Sequence, residues 1–172
     1  GGAVVIDQPE IRSNSATTGG GIHADGGAVA ISDSTLEDNS VTHRGGGFWV
    51  SHRLTVTNSV ITGNLADEGG GGYARGDYPA VLTNTQFTEN EAREDGGGWY
   101  SHSRRPVQMN NCEFTDNIAG DDGGAMYGPD SASITATRYD RNSAGHIGGA
   151  ICTWGALQVT NSIFDANSAV YG

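Results

Sequence analysis

Residues 86–100 read QFTENEAREDGGGWY. Phe87 stands three places before Asn90 and Ala92 two places after it. A charged stretch then leads to three glycines, and Trp99 and Tyr100 close the phrase. The phrase returns along the whole chain. Its asparagine falls at Asn14, Asn39, Asn64, Asn90, Asn117, Asn142 and Asn167, in steps of 25, 25, 26, 27, 25 and 25 residues. Three places before each stands an apolar residue: Ile11, Leu36, Ile61, Phe87, Phe114, Tyr139 and Phe164. After the glycines comes another, in the order Ile22, Phe48, Tyr73, Trp99, Met126 and Ile151. An alternating pair precedes each asparagine, as Val29/Ile31 precede Asn39 and Val107/Met109 precede Asn117.

Alternation of this kind, punctuated by Gly, Asn, Asp and Pro, predicts short strands and no helix. About three such stretches fit in one unit. A unit so small cannot bury its apolar side alone, so neighbours must stack. Equivalent strands then pair in parallel about 4.8 Å apart. The expected fold is all-β: a right-handed parallel β-helix of about seven coils, roughly 30 Å long, with residues 1–172 as one domain. The asparagine is expected at a turn, where it tolerates a left-handed backbone, and in a column whose amides bond one another from coil to coil. The glycines shape a tight corner, and the large residue after them fills the interior.

The chain has 172 residues, with 28 glycines and 35% hydrophobic residues, a composition that supports a packed core. No apolar run approaches the roughly 18 residues of a membrane-spanning helix. The formal net charge is −11, and all nine basic residues are Arg. Such a surface repels nucleic acid and anionic lipid. Cys112 and Cys152 occupy different places in the repeat and are expected as buried free thiols.

FTEN at 87–90, FTDN at 114–117 and FDAN at 164–167, with GGAM at 123–126 and GGAI at 148–151, resemble the repeat of the chlamydial polymorphic outer membrane proteins. The resemblance covers essentially the whole chain. It implies a surface-exposed β-helical passenger whose activity is adhesion, placed extracellularly or at the cell surface. Its partner would be a protein or glycan of a host or neighbouring cell. Both ends of the sequence fall inside a coil, so a longer solenoid, or end-to-end self-association, is the expectation.

Three features carry candidate function. Asp67/Glu68, Glu94/Asp95 and Asp121/Asp122 stand in the loops of consecutive coils, and six stacked carboxylates suit Ca²⁺. Arg75-Gly76-Asp77 is an integrin-type tripeptide in a stretch read as a loop. One place after the core residue come His23, Trp49, Ala74, Tyr100, Tyr127 and Cys152. Alternation turns this column outward, making Trp49, Tyr100 and Tyr127 a stripe for sugar or protein contact. The opposite phase would put it inside beside Gly47, Gly98 and Ala125. The five histidines look dispersed.

Enzymes form the rival class, since polysaccharide lyases and glycosidases also use parallel β-helices. The nearest candidates are Glu113 and Asp116 with Arg138, Asp140 and Arg141. Ion pairing between coils explains them as well, and the nearly constant coil length leaves no long loops to wall a cleft. The sequence therefore points to a non-catalytic adhesin or stalk.

Overall fold

The computed structural model of the protein describes residues 3–171. Each full coil contains four strands; in the fourth they are Ala80–Thr83, Gln86–Thr88, Glu91–Ala92 and Trp99–Ser103. Equivalent strands pair in parallel, giving three seven-stranded sheets and one six-stranded sheet, here numbered first to fourth in that order along the coil. The strand beyond the three expected is the short one at Ala92. In the third to fifth coils it has two residues, too few to show alternation. Among the described residues, no helix is long and apolar enough to cross a membrane.

The registers align the repeat letter for letter. Leu36, Ile61, Phe87, Phe114 and Tyr139 stand opposite one another in the second sheet, and all are fully buried. Their rings stack, Phe87 on Phe114 at 4.7 Å and Phe114 on Tyr139 at 5.1 Å between centroids. Burying each is worth about 1.5–3 kcal/mol, and each stacked pair adds about 0.5–1.5 kcal/mol. Tyr139 keeps its hydroxyl satisfied in the core by donating to Met109 Sδ at 3.6 Å, and burial pushes its pKa well up.

The asparagines form a single file. Asn64 Nδ2 donates to Asn90 Oδ1 at 3.0 Å, and Asn90 Nδ2 to Asn117 Oδ1 at 2.9 Å. The same links join Asn14 to Asn39, Asn39 to Asn64, Asn117 to Asn142 and Asn142 to Asn167. From Asn39 on, each Oδ1 also accepts the backbone N–H of the preceding asparagine, as Asn90 Oδ1 does from Asn64 N at 3.1 Å. The second Nδ2 proton of Asn90 goes to the Ile61 carbonyl at 2.9 Å.

The ladder departs from expectation in one respect. The left-handed residue at this corner is the one before each asparagine: Ser13, Asp38, Gly63, Glu89, Asp116, Arg141 and Ala166 have φ between 49° and 62°. That residue turns the chain, and the asparagine points inward to bond its column. At the glycine corner a left-handed conformation recurs, with Gly96 at φ 69°. A Cβ on the next glycine, Gly97, would sit 2.4 Å from the Gly124 carbonyl oxygen, so the next coil occupies the space a side chain would need.

A second buried file was not foreseen. Ser59 Oγ, Thr85 Oγ1 and Thr137 Oγ1 each donate to the carbonyl two residues earlier. Cys112 occupies the same place, its Sγ 3.6 Å from the Asn110 carbonyl. Both cysteines are free and buried.

Candidate functional site

The fourth sheet carries the column flagged in the sequence, with one correction. Register places His23, Trp49, Tyr73, Tyr100, Tyr127 and Cys152 opposite one another, and Gly72 opposite Phe48 and Trp99. Tyr73 is therefore a column member, not a core residue, and Ala74 is not in the column. The cause is a loop one residue shorter: five places separate Asn64 from Gly69, but six separate Asn90 from Gly96. The fourth glycine of that run falls on the interior position. A Cβ on Gly72 would lie 2.3 Å from Phe48 Cζ, so the Phe48 ring fills the vacancy. Trp99 packs against that ring at 5.7 Å.

The column faces outward, and its two ends differ. His23 stacks on Trp49 at 4.5 Å, Arg75 lies over Trp49 at 6.0 Å and Arg44 over Tyr73 at 5.4 Å. Trp49 and Tyr73 are buried under this cover, so Trp49 does not belong to an open stripe. Tyr100 and Tyr127, 5.0 Å apart, are half-buried. Beside them Trp154 is 73% exposed, and its indole Nε1 donates to Tyr127 Oη at 3.1 Å. Burial raises the phenol pKa of both tyrosines, so both remain protonated donors.

Two recesses flank the column. One, of about 470 Å³, is lined by Trp49, Arg44, Arg75, Glu68, Asp67 and Glu94 among others. The other, of about 290 Å³, is lined by Tyr100, Tyr127, Trp154, His102, Arg104 and Asp130 with small residues between them.

The acidic loops stack as two files. Backbone hydrogen bonds run from Asp67 to His43, Glu94 to Asp67, Asp121 to Glu94 and His146 to Asp121. Inside that file lie Glu68, Asp95 and Asp122. The carboxylates are partly spoken for. Glu68 accepts Arg44 Nε at 2.6 Å and Asp67 accepts Arg93 at 3.0 Å. Asp95 Oδ1 accepts the Asp122 N–H, and Asp122 Oδ1 accepts the Ile147 N–H, both at 3.1 Å. Burial pushes Asp95 up to about 6, with the charges of Asp122, Asp121 and Glu68 adding and the hydrogen bond from Asp122 opposing. The tightest ligand group is Asp121, Asp122 and His146, whose donor atoms lie within 4.8 Å of one another. It brings in an imidazole, whereas calcium sites are built from oxygen. His146 looked isolated because the coil period had not been applied to it: it lies one 25-residue step after Asp121.

Arg75 and Gly76 lie in a strand, Gly72–Gly76, paired with His102 and Ser103, and not in a loop. Only Asp77 extends beyond it. The tripeptide is thus not a free loop tip, because Arg75 lies over Trp49.

The family profile described as "Right handed beta helix region" matches residues 1–171. The chain belongs to the right-handed β-helix family. No curated protein and no solved structure matches it. The hand is the one expected of parallel crossovers.

On and beside the second sheet of this β-helix four of the five rival catalytic residues, Asp116, Arg138, Asp140 and Arg141, come together as ion pairs. Arg141 Nε and Nη2 grip the two Asp116 oxygens at 2.9 and 2.8 Å, and Nη1 bonds Asp140. Arg138 reaches Asp140 and Asp165, both at 3.4 Å. Glu113 Oε1 accepts Thr115 Oγ1 at 3.3 Å. A bidentate guanidinium holds Asp116 below the usual carboxylate range, the state of an ion-pair partner and not of a proton donor.

Proposed function

We propose that this β-helix is a non-catalytic adhesin or stalk of an extracellular or cell surface, which captures a glycan or protein of a neighbouring or host cell on the outer face of its fourth sheet. The observation that carries the reading is the Tyr100–Tyr127–Trp154 end of the aromatic column. An indole 73% exposed beside two half-buried tyrosines forms an aromatic patch and not a lone surface ring, and here it is anchored on a stiff sheet by a hydrogen bond. Rigid amphipathic rings lose little entropy on contact, which is why aromatics concentrate at binding surfaces. The resemblance to the chlamydial polymorphic repeat supports a surface location and adhesion.

A polysaccharide-cleaving enzyme is the second reading. One observation favours it: Asp95, raised to about 6, has the proton affinity of a general acid and lies within the influence of Glu68 and Asp122. Against it, Asp95 Oδ1 is engaged by the backbone of the next coil.

Incubation with acidic and neutral polysaccharides, read by product mass spectrometry and by retention on coated beads, separates the two. Retention without new reducing ends is expected. Cleavage that disappears in Asp95→Asn would establish the enzyme instead.

A further inference from the structure

The smaller recess of the fourth sheet has the chemistry of a sugar site. Trp154 stands in the turn after Ile151–Thr153 and is held to Tyr127 by its indole nitrogen, which fixes the ring at the mouth of the recess. Two aromatic neighbours, Tyr100 and Tyr127, continue that apolar wall. Opposite in character stand Arg104 and Asp130. Among the described residues neither takes part in an ion pair, with each other or with any other group. Arg104 therefore has unspent donors, and Asp130 unspent acceptors, facing the space that the aromatic wall bounds.

A ligand that satisfies both walls needs an apolar face and a rim of groups that donate and accept. A pyranose ring has both, with C–H bonds on its face and hydroxyls at its edge. The opposed charges of Arg104 and Asp130 offset each other, so neither a uronate nor an amino sugar gains a net attraction, and a neutral ring that uses both groups as hydrogen-bond partners is the best fit. At about 290 Å³ the recess lies at the small end of ligand sites, which run from about 300 to 1,000 Å³, and it suits a single ring of a longer chain.

We propose that this recess binds one neutral pyranose residue of a glycan, stacked on Trp154 and hydrogen-bonded by Arg104 and Asp130. The inference rests on the binding reading above and names its ligand class.

Trp154 supplies its own reporter, because Trp49 and Trp99 are buried at 7% and 0% exposure. The whole chain is titrated with oligomers of mannose, glucose and N-acetylglucosamine, and separately with oligogalacturonate, while acrylamide quenching of tryptophan emission is followed. At least one neutral oligomer is expected to shield the quenchable emission and shift it to the blue. Binding measured by calorimetry should fall at least tenfold in Trp154→Ala, Arg104→Ala and Asp130→Asn, and Trp154→Phe should recover most of the loss. Unchanged thermal melting in these variants separates a lost contact from a lost fold. The proposal is overturned if the neutral oligomers leave the emission unchanged, if only oligogalacturonate protects it, or if binding survives Trp154→Ala. Beads coated with the protein that still capture cells in those cases would leave the adhesin reading standing. Cleavage of an oligomer that still shields Trp154 would remove that reading and keep the sugar site.

Discussion

Replacing one rung of the asparagine ladder tests what holds the coils together. Asn90 is fully buried and makes four side-chain hydrogen bonds. Asn90→Ala keeps its own backbone N–H bond to Asn117 Oδ1 but removes the acceptor for Asn64 N and the donor to the Ile61 carbonyl. Asn64 Nδ2 retains the Leu36 and Thr62 carbonyls as partners, and the Ile61 carbonyl stays in the parallel ladder between Val60–Thr62 and Gln86–Thr88, so the Asn64 N–H is the group left fully orphaned. At about 1–3 kcal/mol for an unsatisfied buried group, the expected loss is about 2 kcal/mol. At about 2–4 °C per kcal/mol for a chain of this length, melting should fall by about 4–8 °C. Asn90→Asp should cost more near neutral pH. Its new carboxylate would face the Ile61 carbonyl and Asn117 Oδ1, two acceptors, and carry an unpaired charge into the core. Burial raises the folded pKa of such a group above its unfolded value. The penalty is therefore full above the folded pKa and shrinks as pH falls toward about 4, where the Asp and Ala variants should converge. Urea unfolding of both variants across pH measures this. A loss below about 1 kcal/mol for Asn90→Ala would refute the assignment of the ladder as a stabilising column.

Three further outcomes follow from local geometry. Gly72→Ala should destabilise by about 1–3 kcal/mol by pushing the Phe48 ring against Trp99, and Phe48→Leu in the same chain should recover part of the loss; additive losses in a double-mutant cycle would contradict the vacancy. Asp95 binds its proton more tightly folded than unfolded, so its ionisation costs stability as pH rises from about 4 through about 6. Asp95→Asn keeps an acceptor for the Asp122 N–H and should stabilise by about 1 kcal/mol at pH 7, after discounting for its half-exposed position, with no gain at pH 4. Asp77→Glu should leave cell attachment unchanged, because Arg75 is packed over Trp49; loss of attachment would restore the tripeptide as a recognition element.

The rod was legible because its signal is periodic. Seven asparagines at near-constant spacing fix the stacking before any strand is assigned, and one strand pattern read correctly is read correctly seven times. What was lost had local causes. The left-handed corner moved by one residue, to a place where Glu89, Arg141 and Ala166 turn the chain as well as Asp38 and Asp116, and the first three are residue types that carry no turn signal of their own. Tyr73 changed sides because the run before it holds a fourth glycine, which takes the interior place that the first apolar residue after the glycines holds in the other coils. Trp154, Arg104 and Asp130 went unseen because the turn after the fourth strand varies. Arg104-Arg105-Pro106 in one coil is answered by Pro129-Asp130 in the next and Trp154-Gly155 after it, so no shared spacing marks the place. The most variable turn of the repeat holds the most exposed aromatic.

That the fourth-sheet face captures its ligand without transforming it is tested most directly by pairing the intact chain with Trp154→Ala on coated beads. Both are challenged with the same cells and polysaccharides, and the recovered material is weighed against the input by mass spectrometry. Capture by the intact chain, its loss in the variant and recovery of every glycan at its starting length are predicted. Equal capture by both proteins, or shortened glycans from the intact one, would contradict it.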